Sequence, residues 1–282
     1  MRAHGVADTA GESGLSDHAC CVYRSDDELD EYHEIAVDFL HDGLGLGQRL
    51  MVVSERRIDA VVADLAVLGH PEERHRRGEL LVVPLSQLHS GGGAVDARAQ
   101  VAAHAARLEQ ALLAGYQGLR MVGDLTWLAA DPSWRDAHVR FEQLVDRYMV
   151  DHPIAALCAY DERVVGRETA RSVACVHPLR RDSDATFSLC ATAEGVALEG
   201  EVDAFQAPLL ERALATLPSS GTLVIDTQRA TFIDAAAAAV IAEHASRRDA
   251  SGGEVRVQHA QPLLRRLWHL LGFSEIRSVV FQ

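Results

Sequence analysis

Residues 18–28 read His18-Ala-Cys-Cys-Val-Tyr-Arg-Ser-Asp-Asp-Glu28. The first six are a short apolar run of strand type. The last four form a capping box, with Ser25 as N-cap and Glu28 three residues on. Leu29, Tyr32, Ala36 and Leu40 then share one face of a helix that ends at Gly43. A strand passing directly into an amphipathic helix is the opening half of a β-α-β unit, and the chain repeats it. Further strands are predicted at 48–54, 79–84, 119–125 and 154–160. Helices are predicted at 56–68, stopped by Gly69 and Pro71, at 96–114, and at 131–150. The second of these aligns Val101, Ala105, Leu108 and Leu112. The third has Asp131 as N-cap and Pro132 in its first position. Residues 90–93 are a glycine-rich loop. This alternation implies the α/β class, a parallel sheet covered by helices on both faces.

A polar, proline-containing stretch follows, and the pattern changes after it. The expected division is a disordered leader at 1–16, a first domain at 17–178, a linker at 179–185 and a second domain at 186–282. The second domain opens with a hairpin around Ala193-Glu194-Gly195. A helix from Asp203 to about Leu217 and a buried strand at 221–226 come next. Asp234 N-caps an alanine-rich helix. After a strand at 254–259, Pro262 starts a helix with Leu263, Leu267 and Leu270 in register, closed by Gly272, and the last strand lies at 278–281.

Composition excludes several functions. The net charge is −14, and both parts are acidic: 28 acidic against 18 basic residues up to Arg180, then 13 against 9. Neither offers the positive field that nucleic acid or an anionic membrane needs. All 27 basic residues are arginine. Schiff-base lysines and the lysine of a phosphate loop are therefore excluded. The five cysteines are scattered without C-x-x-C spacing, which favours reduced thiols in the cytoplasm over a disulfide frame or a zinc site, and no metal site is expected. No apolar run approaches the length of a membrane span.

Four segments carry a resemblance: Ala197-Leu-Glu-Gly-Glu-Val-Asp203, Thr222-Leu-Val-Ile-Asp226, Thr231-Phe-Ile-Asp234, and the run from Pro262 to Phe273. In order and spacing they resemble the STAS family of anti-sigma-factor antagonists. That resemblance implies a smaller α/β domain that binds an anti-sigma factor or a Ser/Thr kinase of that type. It also implies a phosphorylation switch at a Ser or Thr just after the aspartate that opens the alanine-rich helix. Here that position is Ala235, which has no hydroxyl. The first part is similar to the MEDS family of sensory domains through His18 to Tyr23, Phe39 to Gln48, Gly118-Leu-Arg-Met-Val-Gly-Asp124, Phe141-Glu142 and Leu157-Cys-Ala-Tyr160. That resemblance implies a RecA/KaiC-like sheet and a small-molecule or protein signal. The family more often carries glutamate where this chain has Asp124.

Nucleotide binding is not expected. The place of a phosphate loop, after the first strand, holds Arg24-Ser-Asp-Asp-Glu28, where a triphosphate would meet carboxylates. Gly43 to Gly47 precedes a strand instead of a helix. The candidate ligand residues are His18, Tyr23, Arg120, Asp124 and Glu142. Arg120, Asp124 and Glu142 either line one crevice at the carboxyl ends of strands or form a salt-bridged sheet end. His18 is a ligand, a proton carrier or a strand-start residue. Cys20 and Cys158, both in predicted strands, are candidate neighbours and read as inert buried thiols. Partner-facing candidates are Asp203, Thr231, Phe232, Asp234 and Ala235. The expectation is a cytoplasmic regulator, not an enzyme, with no cofactor. A degenerate nucleotide-binding enzyme and an oligomerising scaffold are the alternatives.

Overall fold

The computed structural model describes residues 5–6, 14, 17–87, 96–181 and 183–282. The glycine-rich loop at 90–93 and most of the leader lie outside these residues. By contacts the chain divides into two compact units, one of residues 1–174 with 178–183 and one of 175–177 with 184–282.

The first unit contains strands β1 (Gly5–Val6), β2 (His18–Tyr23), β3 (Arg49–Val53), β4 (Leu80–Val83), β5 (Leu119–Asp124), β6 (Ile154–Asp161) and β7 (Leu179–Arg181). Its helices are α1 (Asp26–Gly45), α2 (Ile58–Asp64), α3 (Pro71–Arg77), α4 (Ala97–Leu113), α5 (Thr126–Ala130), α6 (Arg135–Met149), α7 (Glu162–Val165) and α8 (Arg167–Ala174). The strands form one parallel sheet in the order β1-β7-β2-β6-β5-β3-β4. Strand β6 lies between β2 and β5 and is buried at every position, which is why it reads as an unbroken apolar run.

Ser25 caps α1, its side chain accepting from the Glu28 N–H, and three carboxylates crowd the positive end of the helix dipole. The helix continues two residues past the expected stop at Gly43. That glycine serves close approach: a Cβ there would stand 2.6 Å from Arg120 Cδ and 2.9 Å from Leu50 Cδ2. One sheet face packs on α1 and α2 through a purely hydrophobic cluster that includes Tyr32, Leu40, Leu50, Val61, Val122 and Leu157. The other face packs on α4 and α6.

Several expectations are corrected. The helix at 56–68 is two pieces, α2 and a 3-10 turn at Ala66–Leu68. Pro71, read as a stop, is the first residue of α3, because proline lacks only an N–H that a first turn leaves unused. Asp131 does not cap α6. Its Oδ1 accepts from the Ser133 N–H and hydroxyl in a turn, and α6 begins at Arg135. The buried residues of α4 are Ala97, Gln100, His104, Leu108 and Ala111, so its inward face carries polar groups and shares only Leu108 with the expected stripe. Leu179–Arg181, placed in a linker, is strand β7 beside β2. Gly5 and Val6, placed in a leader, pair in parallel with Leu179 and Arg180.

The second unit contains β8 (Phe187–Ala191), β9 (Val196–Val202), β10 (Thr222–Asp226), β11 (Ala230–Ile233), β12 (Glu254–Gln258) and β13 (Val279–Phe281), with α9 (Ala207–Ala215), α10 (Ala235–Asp249) and α11 (Pro262–Leu270). Strands β8 and β9 form the expected antiparallel hairpin. The rest pair in parallel in the order β11-β9-β10-β12-β13, giving a mixed sheet. Gly200 permits the hairpin: its φ is +85°, and a Cβ would lie 2.3 Å from the Thr186 carbonyl oxygen. Helix α10 packs on β12 and α9, burying Ala237, Ala238, Ile241, Ala242 and Ala245. Helix α11 turns inward on Leu264 and Trp268, not on Leu263 and Leu270, which are exposed. Trp268 meets Phe273 and Phe281 edge-on, and those rings fix the rotation of the helix. No helix among the described residues is long and apolar enough to cross a membrane.

Candidate functional site

Strand β3 leads to α2 on one sheet face, and β5 leads through α5 to α6 on the other. Between these two neighbouring strands the connections diverge, and in open parallel sheets ligands bind outside the carboxyl ends at such a point. A cavity of about 790 Å³ opens there, lined by residues that include Tyr32, Val53, Ser54, Glu55, Asp124 and Trp127. Asp124 is held at its floor. Its Oδ2 accepts from the Tyr23 hydroxyl at 2.6 Å and its Oδ1 from the Thr126 N–H at 2.9 Å. Burial, reinforced by this carboxylate, pushes the Tyr23 hydroxyl far up, so it stays a donor. The Tyr23 ring stacks on Tyr32 with centroids 6.3 Å apart. Trp127 stands at the rim, 70% exposed.

Arg120 is not in this crevice. It lies on the same sheet face as Asp124, but four residues along a strand is about 13 Å. It is fully buried against the end of α1. Its Nε donates to Gln48 Oε1 at 2.7 Å, Nη1 to the Phe39 carbonyl at 3.1 Å and Nη2 to the Gly14 carbonyl at 2.7 Å. The guanidinium also covers the Phe39 ring, 4.3 Å from its centroid. Burial lowers its pKa to about 10, still well above neutral pH. Arg120 is thus a clamp on a helix end.

Glu142 is on the opposite face of the sheet, with His18. The crevice expected from Arg120, Asp124 and Glu142 therefore does not form: the three side chains stand in three different places. What does form around Glu142 is a buried polar network. His18 Nδ1 lies 3.1 Å from Asp146 Oδ1, and His18 Nε2 lies 3.2 Å from Glu142 Oε2. Glu142 Oε1 accepts from the Tyr160 hydroxyl at 3.0 Å and lies 3.3 Å from His138 Nε2. Cys158 Sγ is 3.9 Å from both Glu142 Oε2 and His18 Nε2. Cys20 and Cys158 are direct cross-strand partners.

Titration in this network follows its geometry. Burial by itself lowers His18, but its hydrogen bonds with Asp146 and Glu142 outweigh that, and its pKa ends above the ordinary histidine value. His138 is lowered, first by burial. Burial and then the Glu142 charge push Tyr160 and Cys158 well up, so Cys158 on its own is an inert thiol. Asp146, His138 and Tyr160 were not singled out in the sequence. A signal was present: His138, Glu142 and Asp146 follow each other at four-residue spacing, which is one helix face.

In the second unit, Val202 pairs with Ile233, so Asp203 and Asp234 leave β9 and β11 side by side. Asp234 is the expected N-cap, accepting from the Ala237 N–H at 2.9 Å. Asp203 does not cap α9. Its Oδ1 accepts from the Phe205 and Gln206 N–H groups, closing a turn before the helix starts at Ala207. Thr231 and Phe232 lie on strand β11. Phe232 is 40% exposed and Phe205 87% exposed, and Ala235 is exposed at the start of α10.

Residues 17–178 match the family described as MEDS, the methanogen/methylotroph, DcmR sensory domain. Residues 187–280 match the one described as Mlab, STAS domain. Comparison with curated proteins returned no match.

Proposed function

The chain belongs to the MEDS family of sensory domains, and on that premise we propose that it is a cytoplasmic signal-transduction regulator. In this reading a small-molecule signal enters the crevice over Asp124, and the STAS-type part docks on an anti-sigma factor or a Ser/Thr kinase of that type. Ala235 is the observation that carries the proposal. It stands exposed directly behind the Asp234 cap, at the position where the resemblance places a phosphorylated hydroxyl. Without that hydroxyl, docking is not set by phosphorylation there, and the control falls to the sensory part of the chain. The exposed Phe232 and Phe205, beside Asp203 and Asp234, supply an apolar contact edged by carboxylates, a composition suited to a protein partner.

The chain is not an enzyme in this reading. The segment after β2 is already closed on itself: the Arg24 N–H donates to Glu28 Oε2 and the Glu28 N–H to Ser25 Oγ. Two backbone donors of the segment are thus engaged, and Asp26, Asp27 and Glu28 put carboxylates where a phosphate would need a cation.

Affinity capture with the full chain from native cytosol tests the proposal. The expected catch is an anti-sigma-type or kinase protein that Phe232→Asp releases. Recovery of no such protein overturns the reading. Calorimetry with ATP is expected to be silent, and measurable binding would favour the degenerate nucleotide enzyme. A chain found as a homo-oligomer by light scattering, with no partner captured, would favour the scaffold.

A further inference from the structure

We propose that His18, Glu142 and Cys158 form a divalent-metal site of zinc class, buried between the sheet and α6. This inference does not rest on the signalling role above. The three residues come from β2, α6 and β6, and they are at most 6% exposed. Their ligand atoms lie within 4.8 Å of one another. The triangle of His18 Nε2, Glu142 Oε2 and Cys158 Sγ has sides of 3.2, 3.9 and 3.9 Å. Ligand atoms at ordinary zinc bond lengths in a tetrahedron stand roughly 3.3–3.6 Å apart. Small side-chain shifts therefore bring all three onto one ion.

The donor set selects the metal. One imidazole, one carboxylate and one thiol suit zinc and its borderline-soft neighbours, whereas calcium and magnesium take oxygen ligands only. A bound cation would take the thiol as thiolate, releasing its proton.

The surrounding groups are divided as a metal site requires. Asp146 takes the Nδ1 side of His18, leaving Nε2 toward the triangle. Glu142 is split in the same way: Oε1 faces Tyr160 and His138, and Oε2 faces His18 and Cys158. A carboxylate behind a ligating histidine, and a second shell holding the free oxygen of a ligating carboxylate, are the outer supports that orient metal ligands. The same three residues line a cavity of about 40 Å³ together with Gln100, His104 and Phe141. That is room for one or two water-sized atoms.

Cobalt(II) is the probe, added to the full chain after treatment with a chelator. The expected result is one cobalt per chain with a thiolate-to-cobalt charge-transfer band, bleached when zinc is added. Cys158→Ser should lose the band. Asp146→Asn, which removes no ligand, should keep the band and bind cobalt about 10–100-fold more weakly. Absence of a band in the wild-type chain overturns the site, as does a band that survives in Cys158→Ser. Unchanged affinity in Asp146→Asn overturns the role of Asp146. Should Cys158→Ser fail to fold, X-ray absorption of the wild-type cobalt complex decides. Sulfur in the first shell supports the site, and a shell of only nitrogen and oxygen overturns it.

Discussion

The two faces of the first sheet are built on different principles. Toward α1 and α2 the contacts are apolar except where Arg120 is buried at the end of α1: Tyr32, Leu40, Leu50, Val61 and Val122 close against one another. Toward α4 and α6 the sheet buries His18, His104, His138, Glu142 and Asp146 among apolar side chains. Burial of an apolar side chain stabilises regardless of its neighbours. Burial of an ionisable one is tolerated only where each polar atom meets a partner. The first face holds the sheet together and leaves its open crevice at the carboxyl ends of the strands. On the second, hydrogen bonds tie His18, Glu142, Asp146 and Tyr160 together, while His138 Nδ1 is buried with no hydrogen-bond partner.

The largest test of this contrast is Glu142→Ala. It strands buried polar atoms of His18, Tyr160 and His138, and a loss of about 3–5 kcal/mol is expected in chemical denaturation of the first unit. Leu40→Ala on the apolar face should cost less, about 3 kcal/mol from lost transfer energy and a cavity. If Leu40→Ala proves the more damaging, the polar face is not tightly closed and the contrast fails. Tyr23→Phe tests the border between the apolar face and the crevice. It removes one hydrogen bond to Asp124, so about 1 kcal/mol is expected, with weaker binding of any crevice ligand in the same titration.

The smallest effect uses a histidine in the other unit as control. His244 is buried near Arg248 and Arg247 instead of carboxylates, and burial followed by those charges lowers its pKa to about 4. The unfolded chain takes up the proton near pH 6.5 while the folded one does not. Stability from this group is therefore complete above about pH 6.5 and falls as pH drops toward 4. The slope should stay well under the ceiling of ~1.4 kcal/mol per pH unit for one proton. Denaturation of His244→Leu at stepped pH should show that slope removed. A slope that persists would assign the acid sensitivity to another group.

The periodicity and capping around residues 18–28 sufficed to read the parallel sheet, since strand and helix alternation is a local property that each segment carries alone. The hairpin, the Asp234 cap and the lack of a hydroxyl at position 235 were equally legible. The short helices were not. Pro71 serves as a stop or as a start with the same local chemistry, and Asp131 binds two residues ahead whether a helix or a turn follows. Residue faces failed where polarity misled. The inward side of α4 carries Gln100 and His104, so a hydrophobic pattern points to the wrong stripe. Likewise Leu263 and Leu270 of α11 look inward by pattern, while the rings at Phe273 and Phe281 draw Trp268 in instead.

Amino-acid order alone determined the fold class, the two families and the chemistry this lysine-free, acidic chain lacks, because composition and period act over a few neighbours. Tertiary structure alone decided that His18 meets Glu142 and Cys158 while Arg120 and Asp124 stand apart. Those meetings join residues up to 140 positions distant, and only the register of β2 on β6 and the rotation of α6 bring them within bonding reach.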